Sequence, residues 1–155
     1  MIAIGIGCRR GCGAAEIVEL VQRGWRLAGA GARTFGYASQ ALEIAISGDG
    51  FGTGEPEGSR SGVRLCSVVE KQTEAGLLQA AATLGLPLVF FPAAILAKQQ
   101  PHLTTRSDRV TALFGTPSVA EAAALAGAGA GAQLLVPRLA SAGATCAIAI
   151  GGEAA

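Results

Sequence analysis

The sequence predicts a layered α/β domain built on a central, largely buried sheet. Three observations carry that expectation. Short apolar runs of strand length recur at Ile2–Ile6, Val63–Val69, Pro87–Phe91, Gln133–Val136 and Thr145–Ile150. Helical segments fall between most of them, the pattern of buried strands covered by helices. The chain has 155 residues, enough for one well-packed domain and too few for two, so residues 1–155 are expected to form a single unit.

Each element has its own reason. Ile2–Ile6 is short and apolar, as a buried strand requires. The helix after it has Ile17, Leu20, Val21, Gly24, Leu27 and Ala28 at helical spacing. Glu16 and Glu19 lie near its start and Arg23 and Arg26 near its end, complementing the helix dipole, and Glu19 can pair with Arg23. Gly29 and Gly31 are expected to end it. A second short helix is expected around Gln40–Ile46. Ser47–Gly62 has almost nothing to bury and is dense in turn residues, so it reads as a flexible surface loop, an insertion rather than a lid.

After the strand at Val63–Val69, Thr73 is placed to cap a helix that runs to Leu84 with Leu77, Leu78, Ala81 and Leu84 on one face. Gly85 and Pro87 end that helix and open the next strand. Ser107 precedes a short helix over Val110–Phe114. Ser118-Val-Ala-Glu121 matches a capping box, the serine accepting from the helix N–H groups and the glutamate reaching back. That helix passes through Ala122–Ala126 into the low-complexity Gly127–Gly131, and two strands follow. No internal repeat is visible.

Half of the residues are apolar, 15% are charged and aromatics are scarce, so the core must be built from Ala, Val, Leu and Ile, with 23 glycines permitting close packing. A net charge of +1 argues against nucleic acid as a partner held by bulk electrostatics. No apolar stretch approaches the roughly 18 residues that span a bilayer, and the first residues lack the charge order of a signal peptide. A soluble, cytoplasmic protein without membrane partners is the expectation. Cys66 and Cys146 lie in strand-like runs and read as reduced thiols used as small hydrophobes. No C-x-x-C occurs and His102 is the only histidine, placed in a polar loop, so neither a metal site nor a cofactor is expected.

The segment most suggestive of chemistry is Gly5-Ile-Gly-Cys-Arg-Arg-Gly11. A strand stops at a glycine-rich turn with two adjacent arginines, and a helix follows. Glycines allow close backbone approach, helix starts offer unpaired N–H groups, and arginine forks suit carboxylate or phosphate. Gly7, Cys8, Arg9, Arg10 and Gly11 are therefore candidate anion-binding residues. Cys8, beside two arginines near a helix start, sits where a thiol pKa is lowered, although no histidine base is near in sequence. Lys71 and Glu74 follow a strand and are further candidates, with an exposed ion pair as the plain alternative. Ser118 and Glu121 are candidates for a second anion contact, with helix capping as their main role.

Four motifs in order then become recognisable: Gly5-Ile-Gly-Cys-Arg-Arg-Gly11, Lys71-Gln-Thr-Glu-Ala-Gly-Leu77, Gly115-Thr-Pro-Ser-Val-Ala-Glu-Ala-Ala-Ala-Leu125 and the closing Ala144-Thr-Cys-Ala-Ile-Ala149, joined by Gly85-Leu-Pro-Leu-Val-Phe-Phe91. Together they resemble the CobE / CbiG C-terminal domain family of cobalamin biosynthesis, over nearly the whole chain apart from about residues 35–62. Two positions depart from the family pattern: Val69, with Glu70 beside it, replaces an acidic residue, and Arg138 stands where a lysine is frequent.

The resemblance implies a single three-layer α/β/α domain, with a mostly parallel or mixed sheet, that acts on corrin-ring intermediates of vitamin B12 assembly. The chain looks like the stand-alone form of the family, for which a carrier or accessory role is expected, with other cobalamin-pathway enzymes as possible partners. Corrin precursors carry acetate and propionate arms around a large apolar ring, which suits a site with several donors and small apolar walls. The alternative within the pathway is a cobalt-precorrin lactone hydrolase that releases acetaldehyde, with Glu74 as the candidate catalytic base. From a different class, Gly5-x-Gly7 and Gly11 could be a degenerate fingerprint of an NADP-type dinucleotide-binding protein, but the spacing departs from G-x-G-x-x-G. A purely structural assembly subunit is the remaining alternative.

Overall fold

The computed structural model describes residues 2–34, 63–99, 103 and 118–151. The expected helix over 40–46, the loop over 47–62, His102 and the short helix over 110–114 lie outside the described residues.

Among the described residues, five strands form one mixed sheet: β1 (Ile2–Cys8), β2 (Val63–Val68), β3 (Leu88–Phe91), β4 (Gln133–Ala140) and β5 (Ala144–Ile150). Their spatial order is β3-β2-β1-β5-β4. β1, β2 and β3 are parallel, with Ile2 opposite Val63 and Leu65 opposite Leu88. β5 runs antiparallel to both β1 and β4, with Ile4 opposite Ile148. Helices α1 (Ala14–Thr34) and α2 (Ala75–Leu84) cover one face, while α3 (Ala93–Ala97) and α4 (Val119–Ala128) cover the other. The expected α/β/α layering is present, and the sheet is the mixed variant.

Strand alternation divides the core into two layers of different grain. Ile2, Ile4 and Ile6 point with Leu65, Cys146 and Ile148 towards Ile17, Leu20 and Val21 of α1 and Leu77 and Leu84 of α2. Ala3 points the other way, with Cys66, Val68, Ala147 and Ala149, towards the alanine face of α4. The second layer is thin because small residues meet small residues. A Cβ added at Gly5 would fall 1.8 Å from the Ala120 carbonyl oxygen, so the absence of a side chain lets the α4 backbone rest on β1. Two polar contacts fix this layer and the sheet. Arg64 of β2 donates from Nε, at 2.9 Å, and from Nη2 to the Gly127 carbonyl near the C-terminus of α4. The buried Ser67 hydroxyl donates to the Ile6 carbonyl at 2.7 Å.

Several local expectations are corrected. α1 continues through Gly29 and Gly31 to Thr34, because glycine weakens a helix without stopping it unless the chain turns left-handed. Leu27 and Leu78 are 46% and 45% exposed, while Trp25, absent from the expected face, is buried. Glu74 rather than Thr73 holds the N-cap position of α2. α3, only five residues long after Pro92, was not expected. β4 extends beyond Val136 through Pro137 to Ala140, which an edge strand tolerates because it can spare a donor. Among the described residues no helix is long and apolar enough to cross a membrane.

Candidate functional site at the carboxyl end of the parallel strands

β1 ends at Cys8, and the chain reverses through Arg9–Cys12 before α1 begins. The Cys12 N–H donates to the Arg9 carbonyl at 3.1 Å, and Gly11, third in the turn, has φ +80°. This is the arrangement of a type II turn, whose third position favours glycine. Arg9, Arg10 and Gly11 are exposed. The neighbouring parallel strand, β2, ends at Val68 and leads through a single 3-10 turn, Val69–Lys71, into α2. The hairpin between β4 and β5 turns at 141–143 on the same edge, since Cys8 lies opposite Ala144. α4 also begins there: a Cβ at Gly7 would approach the Val119 Cβ to 3.8 Å.

The two motifs nearest the turn are joined directly. The Gly11 N–H donates to Glu74 Oε1 at 2.7 Å, across 63 residues of sequence. Beside it, a Cβ added at Gly76 would lie 2.0 Å from the Cys12 carbonyl oxygen, so α2 starts hard against the turn. On the other flank, the Arg9 N–H donates to the Gly143 carbonyl at 2.8 Å. The Gly143 N–H in turn donates to Glu16 Oε1 at 2.7 Å, which also accepts the Ser141 hydroxyl at 2.6 Å. The Cys12 thiol donates to Glu16 Oε2 at 3.3 Å.

These bonds determine the electrostatics. The Ser141 hydroxyl, then the Gly143 N–H and the Cys12 thiol, hold the Glu16 carboxyl below the usual range; partial burial opposes them and Arg9 reinforces them. Burial, followed by the bond to Glu16, pushes the Cys12 thiol up to about 12. The half-buried Cys8 is a correction to the expectation. Its thiol pKa is raised, because burial outweighs the lowering effect of Lys71 and Glu74 raises it further. Cys66 and Cys146 are buried and free, with thiols pushed up by burial to about 12, as small core residues would be.

Gly7, Cys8, Arg9, Arg10, Gly11, Lys71 and Glu74 therefore share one edge of the sheet. The roles of the glycines differ from those expected. Gly5 and Gly7 make room for α4 and for the Thr145 hydroxyl, and the N–H of Gly11 is taken by Glu74. A dinucleotide fingerprint would place the first two of these glycines beneath a pyrophosphate; here they lie beneath protein. Ser118 and Glu121 belong to the same end but are only 1% and 0% exposed. Ser118 caps α4 by accepting the Glu121 N–H at 3.3 Å, and Glu121 Oε2 accepts the Arg138 N–H at 3.1 Å. Both side chains thus have partners inside the protein. Among the described residues, no three His, Cys, Asp or Glu side chains group as metal ligands would. What remains at the surface is a cationic turn, Arg9 and Arg10, with the half-buried Lys71 close enough to Cys8 to act on its charge. Guanidinium and ammonium groups so placed have the chemistry to pair with carboxylates.

Sequence reasoning finds Glu16 only as a partner of the helix dipole and misses Ser141 and Gly143. Glu16 lies 125 residues from Ser141 and 127 from Gly143, and no motif links them.

Comparison with known proteins agrees with this architecture. The family described as cobalamin synthesis G C-terminus matches residues 55–149. Protein CobE of a Sinorhizobium species is 32% identical over 149 residues, which span 96% of this chain and 79% of the relative. The crystal structure of CobE, a protein from the cobalamin (vitamin B12) biosynthetic pathway, superposes with a TM-score of 0.69 at 30% identity, covering 96% of this chain and 89% of that one. The cobalamin biosynthesis protein chiG from Agrobacterium tumefaciens str. C58 gives a TM-score of 0.56, also at 30% identity, covering 99% of this chain and all of that one.

Proposed function

The chain belongs to the cobalamin synthesis G C-terminus family, and on that premise we propose that it serves cobalamin biosynthesis by binding a corrin-ring intermediate, as a carrier or accessory factor. The observation that carries the reading is the type II turn that exposes Arg9 and Arg10 at the carboxyl end of the parallel strands, with Lys71 following the neighbouring strand. Open α/β sheets bind ligands at this end, outside the strand termini. A precorrin or hydrogenobyrinic acid presents several carboxylate arms around an apolar ring, and two arginine forks from one rigid turn are suited to engage adjacent arms. Lys71 adds a compact charge for a further arm. Other enzymes of the pathway are the partners this role calls for, since a carrier must collect and deliver its cargo.

The test is direct because corrinoids are coloured. Purified protein is mixed with a panel of precorrins and hydrogenobyrinic acid and passed through a desalting column. A coloured species travelling with the protein supports the reading. Colourless protein across the whole panel points to a role outside corrin binding.

A further inference from the structure

We propose that Glu74 is a positioning residue for the arginine turn: its carboxylate holds Gly11 and so presents Arg9 and Arg10 as a fixed array. The inference deepens the corrin-binding reading and rests on it. Glu74 occupies the N-cap position of α2, yet its side chain makes no cap bond to that helix. An N-cap side chain ordinarily accepts an N–H from its own first turn. Here Glu74 Oε1 reaches instead to the Gly11 N–H, 2.7 Å away in another loop.

The remaining geometry explains what that bond achieves. The turn is closed on itself by the Cys12 N–H and the Arg9 carbonyl, and its β1 end is tied to the hairpin by the Arg9 N–H and the Gly143 carbonyl. Its α1 end meets α2 at the contact between Gly76 and the Cys12 carbonyl. Gly11 lies between these two anchors and has left-handed backbone, so it is the point at which the turn can most easily relax. The Glu74 bond removes that freedom. Two exposed arginines on a loose turn lose backbone as well as side-chain entropy when they bind; on a held turn they lose side-chain entropy alone.

The test uses the full chain with Glu74→Ala and Glu74→Gln, the second of which keeps a carbonyl oxygen able to accept the Gly11 N–H. Two quantities are measured: hydrogen exchange at the Gly11 amide without ligand, and affinity for hydrogenobyrinic acid. Glu74→Ala should speed Gly11 exchange by about tenfold or more and weaken binding by about tenfold, and Glu74→Gln should recover most of both. Unchanged Gly11 exchange in Glu74→Ala overturns the proposal. So does faster exchange with undiminished affinity, or tighter binding by both variants, which would make Glu74 a competitor for the ligand. If the unmodified protein binds no hydrogenobyrinic acid, the corrin reading fails, and exchange at Gly11 still decides whether Glu74 holds the turn.

Discussion

Glu16 Oε1 and the Gly143 N–H are 2.7 Å apart, a bond that ties the first turn of α1 to the β4–β5 hairpin. Because the Gly143 carbonyl accepts the Arg9 N–H, the same glycine couples Glu16 to the arginine turn. The carboxylate is shared with the Ser141 hydroxyl and the Cys12 thiol, so one acidic side chain ties the hairpin and the arginine turn together at the carboxyl edge of the parallel strands.

This arrangement makes part of the stability pH-dependent. The Glu16 carboxyl is held below its ordinary value in the folded chain. A depressed folded pKa means that the unfolded state binds the proton more readily, so the contribution is present above the unfolded pKa and is lost as pH falls through the folded one. Glu16→Gln should therefore melt below the unmodified protein at neutral pH, and the gap should narrow as pH falls from neutral to below the ordinary carboxylate range. Thermal melts of both proteins across that range check it; a gap independent of pH would contradict the assignment.

Glycine replacements should separate packing from conformation. Gly5→Ala places a methyl group against the Ala120 carbonyl and should cost about 3 kcal/mol or more. Gly11→Ala meets nothing within 4 Å but keeps a φ of +80°, so it should cost only about 1–2 kcal/mol. Urea unfolding of the two variants gives both numbers, and equal costs would show that α4 is not seated on β1 as described.

Thiol reactivity should follow burial. Cys12, Cys66 and Cys146, with thiols near 12, should resist iodoacetamide in the native protein at about pH 8, and Cys8 should be alkylated first, though more slowly than a free thiol. Mass spectrometry of timed native and denatured samples reads this directly. Rapid native labelling of Cys66 or Cys146 would contradict the packing of the core.

The sequence made the strands legible because each is a short apolar run, and β1, β2, β3 and β5 lie within two residues of expectation. The apolar run shows β4 only as far as Val136; that the strand continues through Pro137 depends on its edge position, a property of the assembled sheet. Periodicity alone points Leu27 and Leu78 inward, but which arc of a helix is buried depends on where its neighbours lie. The site was legible where residues cluster in sequence, as Arg9 and Arg10 do. It is not legible where partners are distant: Glu74 and Gly11 stand out separately but not as a pair, and Glu16 stands out only as a dipole partner, without Ser141 or Gly143.

Isothermal titration of hydrogenobyrinic acid into the unmodified protein, Arg9→Ala and Arg10→Ala is the most direct test of corrin binding at the arginine turn. The account predicts that each alanine weakens binding by about 1.5–3 kcal/mol, roughly 10- to 150-fold, with melting temperature almost unchanged because both side chains are exposed. Binding of both variants at the unmodified affinity would place the ligand elsewhere and contradict it.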